Sequence, residues 1–118
     1  MDNKIRHLKS SDKIVTPFVN TINDNINIYV DKVSNKEFLL SDDGETLNDL
    51  SLNGVDLSDA CIGKIERALL GSGVYLKANE LVVYGDNSQF AEKKHALLQA
   101  ILRVNNLMMA QRNKNQNH

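Results

Sequence analysis

The sequence predicts an α+β domain with a mainly antiparallel sheet of about five strands. Short β-branched and aromatic segments come in pairs separated by turn residues, which is typical of hairpins. Two short segments and one long segment carry apolar residues at helical spacing, giving the order β-β-β-α-α-β-β-α. Because 118 residues suit one domain, we divide the chain into a lead-in (1–13), a single α+β domain (14–111) and a polar tail (112–118).

The first three strands are predicted from alternation and from turn residues. Residues 14–19 are β-branched and aromatic, and Pro17, which has no amide donor, favours an edge strand. Residues 26–41 read as a hairpin, since apolar residues alternate with polar ones before the turn at 34–35. Two further strands are expected at 74–76 and 81–84.

Helix boundaries follow from capping residues. Thr46 is the predicted N-cap of a short helix that Gly54 ends, and Ser58 is predicted to cap a second helix. Nothing breaks a helix from Phe90 to about Gln111, so we expect a long helix packed across the sheet. The residues expected in the core include Leu39, Ile65, Leu97 and Ile101.

The apolar arc of the long helix is wide, and we expect the part that one sheet face leaves uncovered to form a homodimer. This arc consists of Leu97, Leu98, Ile101, Leu102, Leu107 and Met108.

Charge is distributed unevenly along the chain although the net charge is −1. Residues 24–59 hold nine acidic residues against two lysines, a local balance of −7. Residues 90–118 hold five Lys and Arg against one acidic residue, a balance of +4. Such asymmetry bears on the choice of partner and not on the fold.

The composition favours a cytoplasmic protein with no membrane partner. There is no run of 18 apolar residues, and the N-terminus lacks the apolar core of a signal peptide. Cys61 is the only cysteine, which excludes an intrachain disulfide and fits a reducing compartment.

The acidic turn after the third strand is the first candidate site. Asp42, Asp43 and Glu45, with Asp49 close behind, are expected at a rim where a partner could bind. Asp-Asp-Gly is also ordinary turn chemistry. Carboxylates at this spacing could instead hold Mg²⁺ in a metal-dependent enzyme. The interpretation as a metal-dependent enzyme is weakened because Lys36 and Glu37 do not have the Glu-x-Lys spacing of many metal nucleases.

The long helix carries a secondary candidate surface, formed by Lys93, Lys94, His95 and Arg103. These side chains could touch phosphates, but no aromatic residue accompanies them as a stacking platform. The sequence pI of about 6.3 also disfavours direct nucleic-acid binding. His95 has no histidine partner at i+4 and no neighbouring nucleophile, so we expect no enzyme activity, no cofactor and no metal.

Several separated motifs resemble domain-of-unknown-function family 1828 over roughly residues 14–110. They are Thr16-Pro-Phe18, Asp24-Asn-Ile-Asn-Ile-Tyr-Val30, Phe38-Leu-Leu-Ser-Asp-Asp-Gly44, Leu50 with Gly54, Gly73-Val74, Asn79-Glu-Leu81 and Phe90-Ala-Glu-Lys-Lys-His-Ala-Leu-Leu-Gln-Ala100. The resemblance implies an origin in low-GC Gram-positive bacteria, their phages or their mobile elements. It implies no activity and no catalytic residue.

These observations lead to one main functional expectation and two alternatives. The main one is a non-catalytic binding protein whose acidic surface docks on a protein, for example a nucleic-acid-binding enzyme with a basic groove. Its sharpest form is an inhibitor of a host defence nuclease such as a CRISPR effector. The alternatives are the metal-dependent site at the acidic turn and nucleic-acid binding by the last helix.

Overall fold

A computed structural model describes residues 11–19 and 25–116 and confirms the α+β fold. The strands are β1 (Ser11–Val19), β2 (Asn25–Lys32), β3 (Glu37–Ser41), β4 (Tyr75–Lys77) and β5 (Glu80–Asp86). The helices are α1 (Glu45–Leu52), α2 (Asp59–Leu69) and α3 (Phe90–Gln116), the last preceded by one 3₁₀ turn (Asn87–Gln89). None of the described helices combines the length and apolarity needed to cross a bilayer.

The five strands form one antiparallel sheet in the order β1-β2-β3-β5-β4. β1 lies at an edge, as Pro17 predicts. β3 and β5 are neighbours although α1, α2 and β4 separate them in sequence. The polypeptide that leaves β3 therefore returns beside the same strand, and the turn after β3 lies next to the start of β5.

The alternation of the strands decides which side chains enter the core. Val30, Leu40 and Val83 pair across β2, β3 and β5 on the face that α3 covers. Leu39 pairs with Asp31 and Tyr84 on the other face and is only half-buried. The expectation that Leu39 lies in the core was wrong, since its neighbours Phe38 and Leu40 are the buried residues. Successive residues of a strand point to opposite faces of the sheet.

α3 packs across β2, β3 and β5 and also contacts α1 and α2. Its core residues include Leu97, Ile101 and Val104, each at most 2% exposed, and Ile65 of α2 is equally buried. Most of the arc expected to form a homodimer is therefore covered within the protein itself. Leu102 is half-buried and Leu107 is 36% exposed, so these two residues leave only a small apolar surface for a partner. The homodimer through this helix stays a prediction.

The ends of the helices differ in part from the sequence-based boundaries. Ser58 accepts a hydrogen bond from the backbone N–H of Cys61, as expected of the N-cap of α2. α1 begins one residue before Thr46, with Gly44 at the N-cap position, and Thr46 is buried in the first turn. The backbone of α3 stays helical to Gln116, so most of the polar tail continues this helix, whereas residues 1–10, 20–24 and 117–118 lie outside the described residues.

Gly85 allows β5 to lie close beside two bulky side chains. A Cβ at this position would lie 2.8 Å from Cγ of Lys93 and 3.0 Å from Cζ of Phe38. Phe38 packs edge-to-face on Phe90 with ring centroids 5.3 Å apart, which holds its ring in place. The missing side chain therefore makes room for the aromatic pair that joins the sheet to the start of α3.

Replacing Leu97 by Ala should lower the free energy of unfolding by about 2–5 kcal/mol, because it leaves a cavity in the core. Urea denaturation measures this change. Leu107→Ala on the exposed part of the same helix is the control and should change stability far less. Equal effects of the two variants would mean that α3 does not pack on the sheet through Leu97.

Replacing Gly85 by Ala should destabilise the protein by about 1–3 kcal/mol, because the added methyl group overpacks against Phe38 and Lys93. Gly63→Ala in α2 is a matched control, since a Cβ there meets only a guanidinium nitrogen of Arg67, at 3.8 Å. That change should stabilise the helix by about 0.5–1 kcal/mol. Melting temperatures that move in the same direction would contradict the packing described at Gly85.

Candidate functional site at the acidic turn

The acidic turn joins β3 to α1 through two residues with positive φ. Asp43 has φ 55° and Gly44 has φ 77°, and the N–H of Glu45 donates to the carbonyl of Asp42 at 3.1 Å. These angles define a type I′ turn, in which Asp and Gly are favoured. The local sequence thus dictates a sharp reversal that brings α1 back against the end of β3.

Asp42 is buried beneath this turn and only 1% exposed. Its Oδ1 accepts from the N–H groups of Gly44 and Leu81, each at 2.9 Å, and its Oδ2 accepts from the N–H of Thr46 at 3.0 Å. The backbone N–H of Asp42 also donates to the carbonyl of Leu81 at 3.1 Å. The expectation that Asp42 belongs to an exposed partner-binding rim is therefore corrected, because its carboxylate points inward and holds β5 and α1 together.

Burial raises the pKa of Asp42 above its ordinary value, since it disfavours the charged form. The hydrogen bonds from Thr46, Gly44 and Leu81 oppose that shift, because they favour the charged form. The carboxyl group thus has a structural task in an environment that is costly for its charge.

Glu45 lies half-buried at the start of α1 and is held in place by β2. Its Oε2 accepts from the hydroxyl of Tyr29 at 2.5 Å, and its Oε1 accepts from Nδ2 of Asn27 at 3.3 Å. Burial raises the pKa of Tyr29, and the hydrogen bond to Glu45 and the charge of Glu45 raise it further. Tyr29 therefore stays a hydrogen-bond donor at neutral pH and fixes the position of the carboxylate.

The two remaining predicted acids lie on either side of Glu45. Asp43 is half-buried, and its charge is close enough to Tyr29 to raise the pKa of that phenol. Asp49 follows Glu45 by one helical turn, and both line the same small notch. The structure thus brings together three of the four predicted site residues, which we call the acidic rim (Asp43, Glu45 and Asp49).

Several residues that support the rim were not singled out from the sequence. Ser41 donates to Glu80 at 2.8 Å, and its hydroxyl accepts from the N–H of Asp43 at the same distance. Tyr29 and Asn27 occupy the polar positions of an alternating strand, which identifies their face but not their partner. Asn105 lies on the buried face of α3, and its spacing of four residues from Ile101 was the available signal.

A metal centre at the turn finds no support in this arrangement. Within residues 11–19 and 25–116, no three His, Cys, Asp or Glu side chains gather closely enough to hold a metal ion. Asp42 faces the interior and Glu45 faces β2, so the carboxylates of the predicted metal site diverge.

The secondary candidate surface on α3 does not form one cluster. Lys93 packs beside Gly85, whereas the guanidinium of Arg103 donates to the carbonyl of Ala68 at 3.4 Å, on the side of α2. Ten residues of helix between them correspond to about 15 Å along the axis. Lys94 is half-buried and His95 is exposed.

Cys61 is half-buried, and its Sγ lies 3.1 Å from Sδ of Met108. Burial raises the pKa of the Cys61 thiol. A raised pKa disfavours the thiolate, the form in which a cysteine acts as a nucleophile.

Asp42→Asn and Asp43→Asn should have very different effects on stability. At Asp42 the amide nitrogen would replace an oxygen that accepts a backbone N–H, so we expect a loss of about 1–3 kcal/mol. At Asp43, Asn tolerates the positive φ, and the change should stay within about 0.5 kcal/mol. Chemical denaturation of both variants at neutral pH measures the difference, and equal stabilities would contradict the structural role of Asp42.

Comparison with known proteins gives one match. No curated protein and no solved structure matches the chain significantly. The family model described as domain of unknown function DUF1828 matches residues 16–104, a span that begins in β1 and ends within α3. The chain therefore belongs to the DUF1828 family.

Proposed function

We propose that the protein is a non-catalytic binding module whose acidic rim docks on a basic surface of a protein partner. The observation that carries this proposal is that Glu45 and Asp49 line one notch between β2, α1 and α3, while the charge of Asp43 in the preceding turn acts on Tyr29, the partner of Glu45. Glu45 is fixed there by Tyr29 and Asn27. A carboxylate that is already ordered loses little side-chain entropy when it binds a cation.

The charge pattern of the rim also favours a cationic partner. Glu45 and Asp49 lie four residues apart on one helix face, where like charges destabilise a helix by a few tenths of a kcal/mol. A basic group placed between them would relieve this repulsion. The surrounding segment 24–59 has a local balance of −7, which would attract a basic surface over some distance.

The partner class follows from this chemistry. A groove lined with Lys and Arg is the complement of the rim, and enzymes that bind nucleic acid possess such grooves. The most specific form of the proposal is an inhibitor, encoded by a phage or mobile element, that occupies the nucleic-acid groove of a host defence nuclease. This form also rests on the origin that the family resemblance implies.

The test uses a rim variant, Asp43→Asn with Asp49→Asn, and a control variant with the same change of charge elsewhere. Glu66→Gln with Glu92→Gln is a suitable control, because both residues are exposed and lie outside the rim and outside segment 24–59. Glu45 is kept, since its hydrogen bonds to Tyr29 and Asn27 also support the fold. A partner captured by the wild type should be retained by the control and lost by the rim variant.

Biolayer interferometry with that partner then measures the rates. The rim variant should associate about tenfold more slowly with little change in dissociation, and added salt should slow the wild type in the same way. Unchanged association by the rim variant, or an equal loss in the control, would contradict docking through the rim.

A further inference from the structure

Asn105 is a buried polar residue whose side chain is not hydrogen-bonded by any described residue. It lies on α3 and is 3% exposed, yet neither its Nδ2 nor its Oδ1 has a hydrogen-bond partner among the described residues. Buried amides without partners are rare, because each unpaired group costs about 1–3 kcal/mol. An unpaired amide at this position therefore indicates a hydrogen-bonding ligand.

The side-chain amide of Asn105 borders the same notch that Glu45 and Asp49 line. The space open to the centre of a water-sized sphere measures about 10 Å³, and that is about what one water molecule needs. Its polar lining residues are Asn27 on β2, Asp42 at the turn, Glu45, Thr46 and Asp49 on α1, and Asn105 on α3. The notch thus has the size and the polar partners of a single hydration site.

The chemistry of the lining favours water over a cation. The oxygens of Glu45 already accept from Tyr29 and Asn27, and those of Asp42 accept backbone N–H groups. A cation in the notch would leave Nδ2 of Asn105 without an acceptor, whereas water can accept from Nδ2 or donate to Oδ1. Water therefore suits the amide in either orientation of its nitrogen and oxygen.

We propose that this notch binds one ordered water molecule, which hydrogen-bonds to the Asn105 amide and donates to a carboxylate of the acidic rim. The water links α3 to α1 at the point where the rim begins. It thereby makes the position of the rim depend on a residue in the core.

Two measurements on the full chain test this proposal. A crystal structure at about 1.8 Å or better should show one density peak in the notch at hydrogen-bond distance, about 2.7–3.1 Å, from the Asn105 amide. In solution, the side-chain amide protons of Asn105 should show nuclear Overhauser effects to a long-lived water. The side-chain amide protons of the exposed neighbour Asn106 should show only nuclear Overhauser effects of the opposite sign, which are typical of rapidly exchanging surface water.

The hydroxyl of Thr46 could relay magnetisation from bulk water, so the experiment is repeated with Thr46→Val. The effect at Asn105 should persist in that variant, and its loss would overturn the proposal. Contacts of about 2.4 Å to oxygen atoms alone would mark a cation and would also overturn it. The absence of electron density in the notch at about 1.8 Å resolution would likewise overturn the proposal.

Discussion

The buried carboxylate of Asp42 is the interaction on which the rest of the site depends. It accepts backbone N–H groups from the turn at Gly44, from α1 at Thr46 and from β5 at Leu81. Gly44 and Thr46 lie at the start of α1, where backbone N–H groups have no acceptor within the helix. One side chain thus satisfies donors from three parts of the chain, and it sets the angle at which α1 leaves the sheet.

The acidic rim follows from this arrangement. With α1 fixed in this orientation, Glu45 reaches the polar face of β2, where Tyr29 and Asn27 hold it. Asp49 lies one helical turn after Glu45 and lines the same notch, as Asn105 of α3 does. The surface proposed to bind a partner is therefore built on the buried carboxyl group of Asp42, which supports the fold, whereas the half-buried acids of the same segment form the rim.

Much of the fold could be predicted from the sequence, because alternation and helical spacing act locally. Pro17 indicated an edge strand, and the paired strands gave an antiparallel sheet. Leu39 was misplaced because three consecutive apolar residues, 38–40, conceal the phase of the alternation. The burial of Asp42 could not be predicted, since Leu81 lies 39 residues away and only the pairing of β3 with β5 brings it near. The same limit applies to the hydrogen bond of Tyr29 to Glu45, which depends on tertiary packing.

Hydrogen exchange at single residues tests the role of Asp42 most directly. If its carboxylate holds the corner together, the amides of Gly44, Thr46 and Leu81 should exchange as slowly as core amides of β5 such as Val83. An ordinary exposed turn would leave the amide of Gly44 unprotected. Rapid exchange at Gly44 and Thr46, on the scale of the exposed turn at 34–36, would contradict the account.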